Sequence, residues 1–255
     1  MDLQLPATTI GNYKSGSQRA RVSTEPWAEA NLYCPACESP KINSLPTGTH
    51  AADFNCPVCA SRYQLKSQRT KFGARLLDGA YAAMQRAIMS DQTPNLLLLH
   101  YKFPQLTVEN VYLIPHFAFS MSCVEKRNAL SATARRAGYI GCYFLLNRIP
   151  SDARIQIVHD GRATNSSEVR SAYKRLRPLE KLTIKKRGWT LDVLNVVKSL
   201  NKTEFELKDV YEHEGILAKL HPDNDHIQPK IRQQLQELRN MKLVKFLGDG
   251  HYRLL

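Results

Sequence analysis

The chain has 255 residues, 43% hydrophobic and 23% charged, and its 36 Lys and Arg against 23 Asp and Glu give a net charge of +13. That is the composition of a soluble globular protein long enough to bury one large core or two ordinary ones, and no apolar run approaches the ~18 residues of a membrane span. The positive surplus favours a polyanionic partner, nucleic acid before a membrane surface, because no lipid-type amphipathic helix is visible. The opening MDLQLPATTI has neither a basic start nor an apolar stretch, so no secretory signal and a cytoplasmic location are expected.

Residues 15–31 read as two short helices, 17–22 and a second beginning at Thr24 with Pro26 near its first turn. Glu25 then suits the dipole of that first turn, the alternative being an acid lent to a metal site. Two matched knuckles follow, Cys34-Pro-Ala-Cys37 and Cys56-Pro-Val-Cys59, with eighteen residues between them. Each Cys-x-x-Cys turn aims two thiolates at one ion, and two turns complete the tetrahedral set that Zn2+ prefers. Disulfides do not suit a cytosolic protein, and two matched pairs exceed what a redox site needs. Four thiolates leave no open position, so the zinc is expected to be structural. Cys123 and Cys142 stand alone and read as small buried hydrophobes.

Residues 62–66, RYQLK, alternate as a strand, with Gln64 and Lys66 on one face and Tyr63 and Leu65 on the other. Asp53 enters the second knuckle, and a hairpin-like turn there returns it to Gln64 and Lys66. An acid, a second oxygen donor and a lysine sharing one polar patch is the layout of PD-(D/E)xK nucleases. The same trio also occurs on ordinary surface strands.

Residues 69–90 carry Leu76, Leu77, Ala80, Tyr81 and Met84 at helical spacing and are expected to cover the catalytic sheet as one helix. Strands follow at 96–101 and 110–115. Arg135-Arg136-Ala137-Gly138-Tyr139 is a compact basic loop, suited either to gripping neighbouring phosphates or to a salt-bridged helix end. Residues 178–187 read as a linker. Beyond it come an amphipathic helix at 189–200 with Asp192 on its polar face, a short helix at 205–211 and a third at 228–240. That third helix is expected to turn Ile231, Leu235 and Leu238 inward and Lys230, Arg232, Gln233, Gln234 and Arg239 outward. A hairpin closes the pattern, with Gly248-Asp249-Gly250 as its turn. Three helices and a β-wing make a winged helix, whose third helix presents Gln and Arg to base edges in the major groove. The scattered histidines, among them His50 and His221, are given no role.

The stretches Tyr13-Lys14-Ser15, SQRAR at 17–21, Thr24-Glu25, Trp27, both knuckles with Ala52-Asp53-Phe54, Leu65-Lys66-Ser67, DGAYA at 78–82, ATARRAG at 132–138, Ile140-Gly141-Cys142, RGWT at 187–190 and KIRQQL at 230–235 share their order and spacing with one family. On these motifs the chain resembles, nearly end to end, the DpnI / Dam-replacing family of methyl-directed type II restriction endonucleases. The resemblance implies an α/β PD-(D/E)xK-like nuclease domain with an embedded four-Cys zinc site, residues 1–182, and a C-terminal winged-helix DNA-binding domain, residues 183–255. It implies double-stranded DNA carrying N6-methyladenine in GATC as substrate. Asp53 takes the place of the metal-bridging acid and Lys66 that of the catalytic lysine, with Mg2+ as the catalytic ion and Mn2+ as a substitute. Gln64 departs from the family motif, which has Glu there, although an amide oxygen still ligates a hard ion. Tyr139 stands where the relative carries an aromatic and offers an apolar wall to the N6-methyl group. Two rivals remain at this level: a methyl-dependent binding protein whose nuclease centre has decayed through Gln64, and a zinc-ribbon transcription factor. A single active site per chain leaves open whether a monomer or a pair makes a double-strand break.

Overall fold

The computed structural model describes residues 1–6, 15–49 and 51–255; Tyr13, Lys14 and His50 lie outside them. In chain order the first half comprises α1 (Gly16–Asn31), β1 (Asn43–Ser44), β2 (Phe54–Asn55), β3 (Arg62–Gln68), β4 (Arg75–Ala80), α2 (Tyr81–Met89), β5 (Asn95–Lys102) and β6 (Thr107–Ile114). Then come β7 (Val124–Lys126), β8 (Gly141–Leu145), β9 (Ile155–His159), β10 (Arg162–Ala163), α3 (Ser166–Leu176) and α4 (Ile184–Ser199). The C-terminal part holds β11 (Glu204–Glu206), α5 (Leu207–Tyr211), α6 (Glu214–Leu220), α7 (Ile227–Asn240), β12 (Val244–Gly248) and β13 (His251–Leu254). No helix among the described residues is long and apolar enough to cross a membrane.

The chain forms two compact units. The first takes Met1–Ala74, Gln92–Phe117 and Asp152–Lys174; the second takes Arg75–Asp91, Ala118–Ser151 and Arg175–Leu255. Each unit is thus drawn from three stretches of the chain.

The first unit is built on a mixed seven-stranded sheet of order β1-β2-β3-β5-β6-β9-β10, in which β3 and β5 run parallel and the other pairs antiparallel. Strand β5 is buried from Asn95 to Tyr101, as its unbroken apolar run requires of a central strand. Helix α1 packs on this sheet through Ala20, Ser23, Thr24, Trp27 and Ala28. It is one continuous helix with Pro26 in its interior, where two short helices were expected. An interior proline costs roughly 3 kcal/mol, and burial of the Trp27 face offsets it. The Thr24 hydroxyl donates to Ala20 O (2.8 Å) and lies 3.0 Å from the Ser67 hydroxyl, pinning α1 to β3. Glu25 therefore sits mid-helix, not in a first turn.

The second unit holds a three-stranded sheet β4-β8-β7 and the C-terminal helices with the sheet β11-β13-β12. The helix expected over 69–90 divides into strand β4 and the shorter helix α2. Leu76, paired with Phe144, is buried while Leu77 is 55% exposed, so the alternation belongs to a sheet edge. The expected linker at 178–187 is also structured: Arg177–Lys181 forms a 3-10 turn and α4 begins at Ile184. Arg187 is 1% exposed and its guanidinium reaches both Asp91 oxygens (2.5 and 3.4 Å). Asp192, expected on a polar face, is buried between the Ser122 hydroxyl (2.6 Å) and His221 Nε2 (2.9 Å), and His221 stacks on Trp189 at 3.7 Å. The short helix expected at 205–211 begins as strand β11, and α6 follows it as an additional helix. The closing hairpin forms as expected, with Asp249 (φ +46°) and Gly250 (φ +77°) both left-handed, as a two-residue turn of this hand demands.

Asp91→Ala strands the buried Arg187 charge. It should lower the unfolding free energy by ~2–3 kcal/mol, below the ~3–5 of a fully buried pair because the Asp91 side chain keeps 38% exposure. Arg187→Met, which removes the charge and keeps the bulk, should cost less; urea unfolding of both variants checks the order.

Candidate active site

The four paired cysteines converge, with all their Sγ atoms within 4.8 Å of one another. Cys34 and Cys59 lie 3.6 Å apart and Cys37 and Cys56 3.5 Å, all as free thiols. A tetrahedral Zn2+ with ~2.3 Å bonds sets its sulfurs about 3.8 Å apart, so the cage fits this ion with little movement. Burial raises the Cys34 thiol, and the Tyr63 hydroxyl 3.0 Å away works against that rise. Burial also acts to raise Cys56, but hydrogen bonds from the N–H groups of Cys59 and Val58, together with those from Cys37 and Cys34, outweigh it and bring that thiol down to about 6. Burial and the neighbouring Cys34 raise Tyr63 well above the phenol range, which keeps it a hydrogen donor.

Two residues outside the knuckles hold the cage, and sequence reasoning gave neither a role. Arg170 of α3 donates to the carbonyls of Cys34 (3.2 Å), Cys37 (2.9 Å) and Ser39 (3.1 Å) and pairs with Glu38 (2.9 Å). Tyr63 links the cage to β3, its side chain fully buried. No spacing in the sequence marks Arg170, which is 133 residues from Cys37.

The second knuckle closes the β2–β3 hairpin and brings Asp53 back over β3. Asp53 N donates to Tyr63 O (2.8 Å), Leu45 N donates to Asp53 O (2.8 Å), and Leu65 N donates to Asp53 Oδ2 (2.7 Å). The carboxylate is thus aimed by three backbone bonds. Asp53, Gln64 and Lys66 line one open cleft of about 370 Å3, together with Arg21, Thr24, Glu25 and Ser67. Glu25 pairs with Arg21 at 2.8 Å across one turn of α1. Burial lifts its carboxyl above the usual range, Arg21 opposes the rise, and nearby Asp53 adds to it. One amide oxygen and two carboxylates around a cleft are the hard donor set that Mg2+ takes, leaving room for waters and a phosphate.

The expected DNA-contact residues lie in the second unit. Arg135 and Arg136 are exposed on a turn completed by Gly138 (φ +75°), where a left-handed backbone favours glycine, and the Arg136 guanidinium stacks 3.9 Å above Tyr139. On α7, Arg232 and Gln233 are exposed and Lys230 is half-buried, its ammonium 2.7 Å from Gln233 Oε1. Arg232 donates to the Tyr211 hydroxyl at 2.6 Å. Gln234 corrects the outward assignment: it is fully buried and accepts the Thr190 hydroxyl at 2.7 Å. Its place was legible, because 231, 234, 235 and 238 follow the i, i+3, i+4, i+7 pattern of a single helix face.

Tyr63→Phe removes the donor to the Cys34 sulfur, and loss of such an outer partner typically costs ~10-fold or more in metal affinity. A chelator competition on the zinc-loaded protein should show about that loss, with Arg170→Ala in the same direction.

Two family models account for the chain. Residues 1–182 match the model described as DpnI, Dam-replacing family, and residues 185–254 match that described as the Dam-replacing HTH domain. The α4–α7 segment with its β12–β13 hairpin is thus a helix-turn-helix domain. From the family models, the four-cysteine cage and the mixed α/β sheet, we conclude that the chain belongs to the DpnI Dam-replacing family of methylation-dependent restriction endonucleases.

Proposed function

We propose that the protein is a type II endonuclease of PD-(D/E)xK kind that hydrolyses double-stranded DNA at GATC sites carrying N6-methyladenine. The observation that carries this reading is the convergence of Asp53, Gln64 and Lys66 on one cleft of a chain in this family. A Mg2+ ion, when bound, lowers the pKa of a water and neutralises charge on the phosphate. Asp53, Gln64 and Glu25 would hold that ion, Asp53 through the oxygen that Leu65 N–H leaves free. Lys66 supplies a cation at the phosphate and orients the attacking water.

Gln64 removes one formal charge from the donor set. A divalent ion and a carboxylate ~4 Å apart interact by about 8 kcal/mol at an effective dielectric near 20, before desolvation reduces the net gain. Glu25 restores that charge from the other wall of the cleft, at the cost of loosening its pair with Arg21. A partly exposed i, i+4 ion pair is worth only about 0.5 kcal/mol, so Glu25 would release Arg21 at little cost when an ion is held. The winged helix reads the site with Arg232 and Gln233, which suit guanine and adenine edges, while Arg135 and Arg136 grip phosphates and Tyr139 faces the methyl group.

Gln64 also favours a second reading, a methyl-dependent binding protein with a decayed centre. Incubation with unmethylated, hemimethylated and fully methylated GATC duplexes in Mg2+ or Mn2+ separates the two: the nuclease cuts the methylated duplex, and binding without any nick establishes the rival. Lys66→Met should abolish cutting while leaving duplex affinity within about twofold. Gln64→Glu should lower the Mg2+ concentration for half-maximal cleavage by about tenfold, equivalent to ~1.4 kcal/mol, and Glu25→Gln should raise it by a similar factor.

A further inference from the structure

Beyond Lys66, strand β3 ends at Gln68 and continues into Arg69, Thr70 and Lys71. The Gln68 amide donates to the carbonyls of Thr70 (3.0 Å) and Lys71 (3.2 Å), which gives this segment a fixed curl. The Arg69 guanidinium lies 4.0 Å above the ring of Phe103, in the turn between β5 and β6. Phe103 keeps 49% of its surface exposed, so the guanidinium stacked on it stands at solvent. Its turn is rigid: Leu106 N donates to Lys102 O (2.9 Å), Leu5 N to Leu106 O (2.7 Å), and the Gln4 amide to Gln105 O (2.9 Å).

Neither Arg69 nor Lys71 is ion-paired among the described residues, whereas Lys102 beside them is neutralised by Glu109 at 2.9 Å. Two uncompensated cations, one held flat on an aromatic face, thus stand at the end of the strand that carries Lys66. A guanidinium stacked in this way keeps its in-plane N–H groups directed outward, the geometry that suits a phosphate.

We propose that Arg69, held flat by Phe103, and Lys71 form a phosphate-gripping surface for the substrate strand beyond the cleft. Three residues of strand span ~10 Å, and one DNA strand carries a charge about every 3.4 Å along its axis, so Arg69 stands about three phosphates from the one at Lys66. The residues read above as DNA contacts, from Arg135 to Gln233, belong to the second unit; this surface belongs to the unit that holds the cleft. It reads no bases and serves any sequence. The inference rests on the nuclease reading for its ligand, DNA.

The test is the salt dependence of duplex binding, followed by fluorescence anisotropy in Ca2+, for methylated GATC and for a duplex without GATC. Each lost phosphate contact reduces the log–log salt slope by about 0.9, so R69A/K71A should be shallower by about 1.8 on both duplexes. R69K, which keeps the charge, should retain the slope, and F103A should weaken binding severalfold with an unchanged thermal midpoint. An unchanged slope in R69A/K71A, with the unsubstituted chain binding normally, overturns this surface alone. Failure of the unsubstituted chain to bind any duplex overturns the nuclease reading with it.

Discussion

The arrangement of the cleft depends on the register of one very short hairpin. Strand β2 contributes only two pairs to β3, Phe54 with Tyr63 and Asn55 with Arg62. A slip of one residue would turn every side chain to the opposite face, and two pairs are too few to forbid it. The four-thiolate cage supplies the missing constraint, since Cys56 and Cys59 lie in the turn between the strands and Tyr63 ties the second strand to Cys34. Tyr63 is also the carbonyl partner of Asp53 N–H, so the residue that braces the cage fixes the acid in the cleft. Four thiolates on one ion would leave no open position for chemistry, and the cage would act by fixing the neighbouring cleft.

Electrostatics in the cleft follow from that placement. Asp53 is brought near Glu25, and their mutual repulsion is one reason why the Glu25 carboxyl is raised. Arg21 and Lys66 line the same cleft and offset the two acids. A cation entering between the acids would ease their repulsion and compete with Arg21 for Glu25. An amide at 64, in place of a third carboxylate, lessens the repulsion that folding must overcome.

Much of this organisation is legible in the sequence itself. The thiolate spacing, the alternation of RYQLK and the Asp-Gly turn are local signals whose physics acts over a few residues, and each gave the right local structure. What was misread depends on tertiary contact. Residues 76, 80 and 84 satisfy a helical period, but Leu76 finds Phe144 on a strand 68 positions away and the segment pairs instead. Asp192 and Gln234 occupy the inner stripe of their helices at i+3 from an apolar residue, so the period places them inside although polarity argues for solvent; distant partners, Ser122 with His221 and Thr190, satisfy them there. Arg170 is the extreme case, since a surface-type residue on a polar helix shows its use only where the fold delivers it.

The interleaving of the two units has a topological corollary. The chain passes between them at Ala74/Arg75, Asp91/Gln92, Phe117/Ala118, Ser151/Asp152 and Lys174/Arg175. No single scission frees one unit whole, and no contiguous fragment encodes either. The β3–β5 crossover runs through β4 and α2 of the second unit before the chain returns to the sheet, so a cut within that stretch parts two strands that pair side by side.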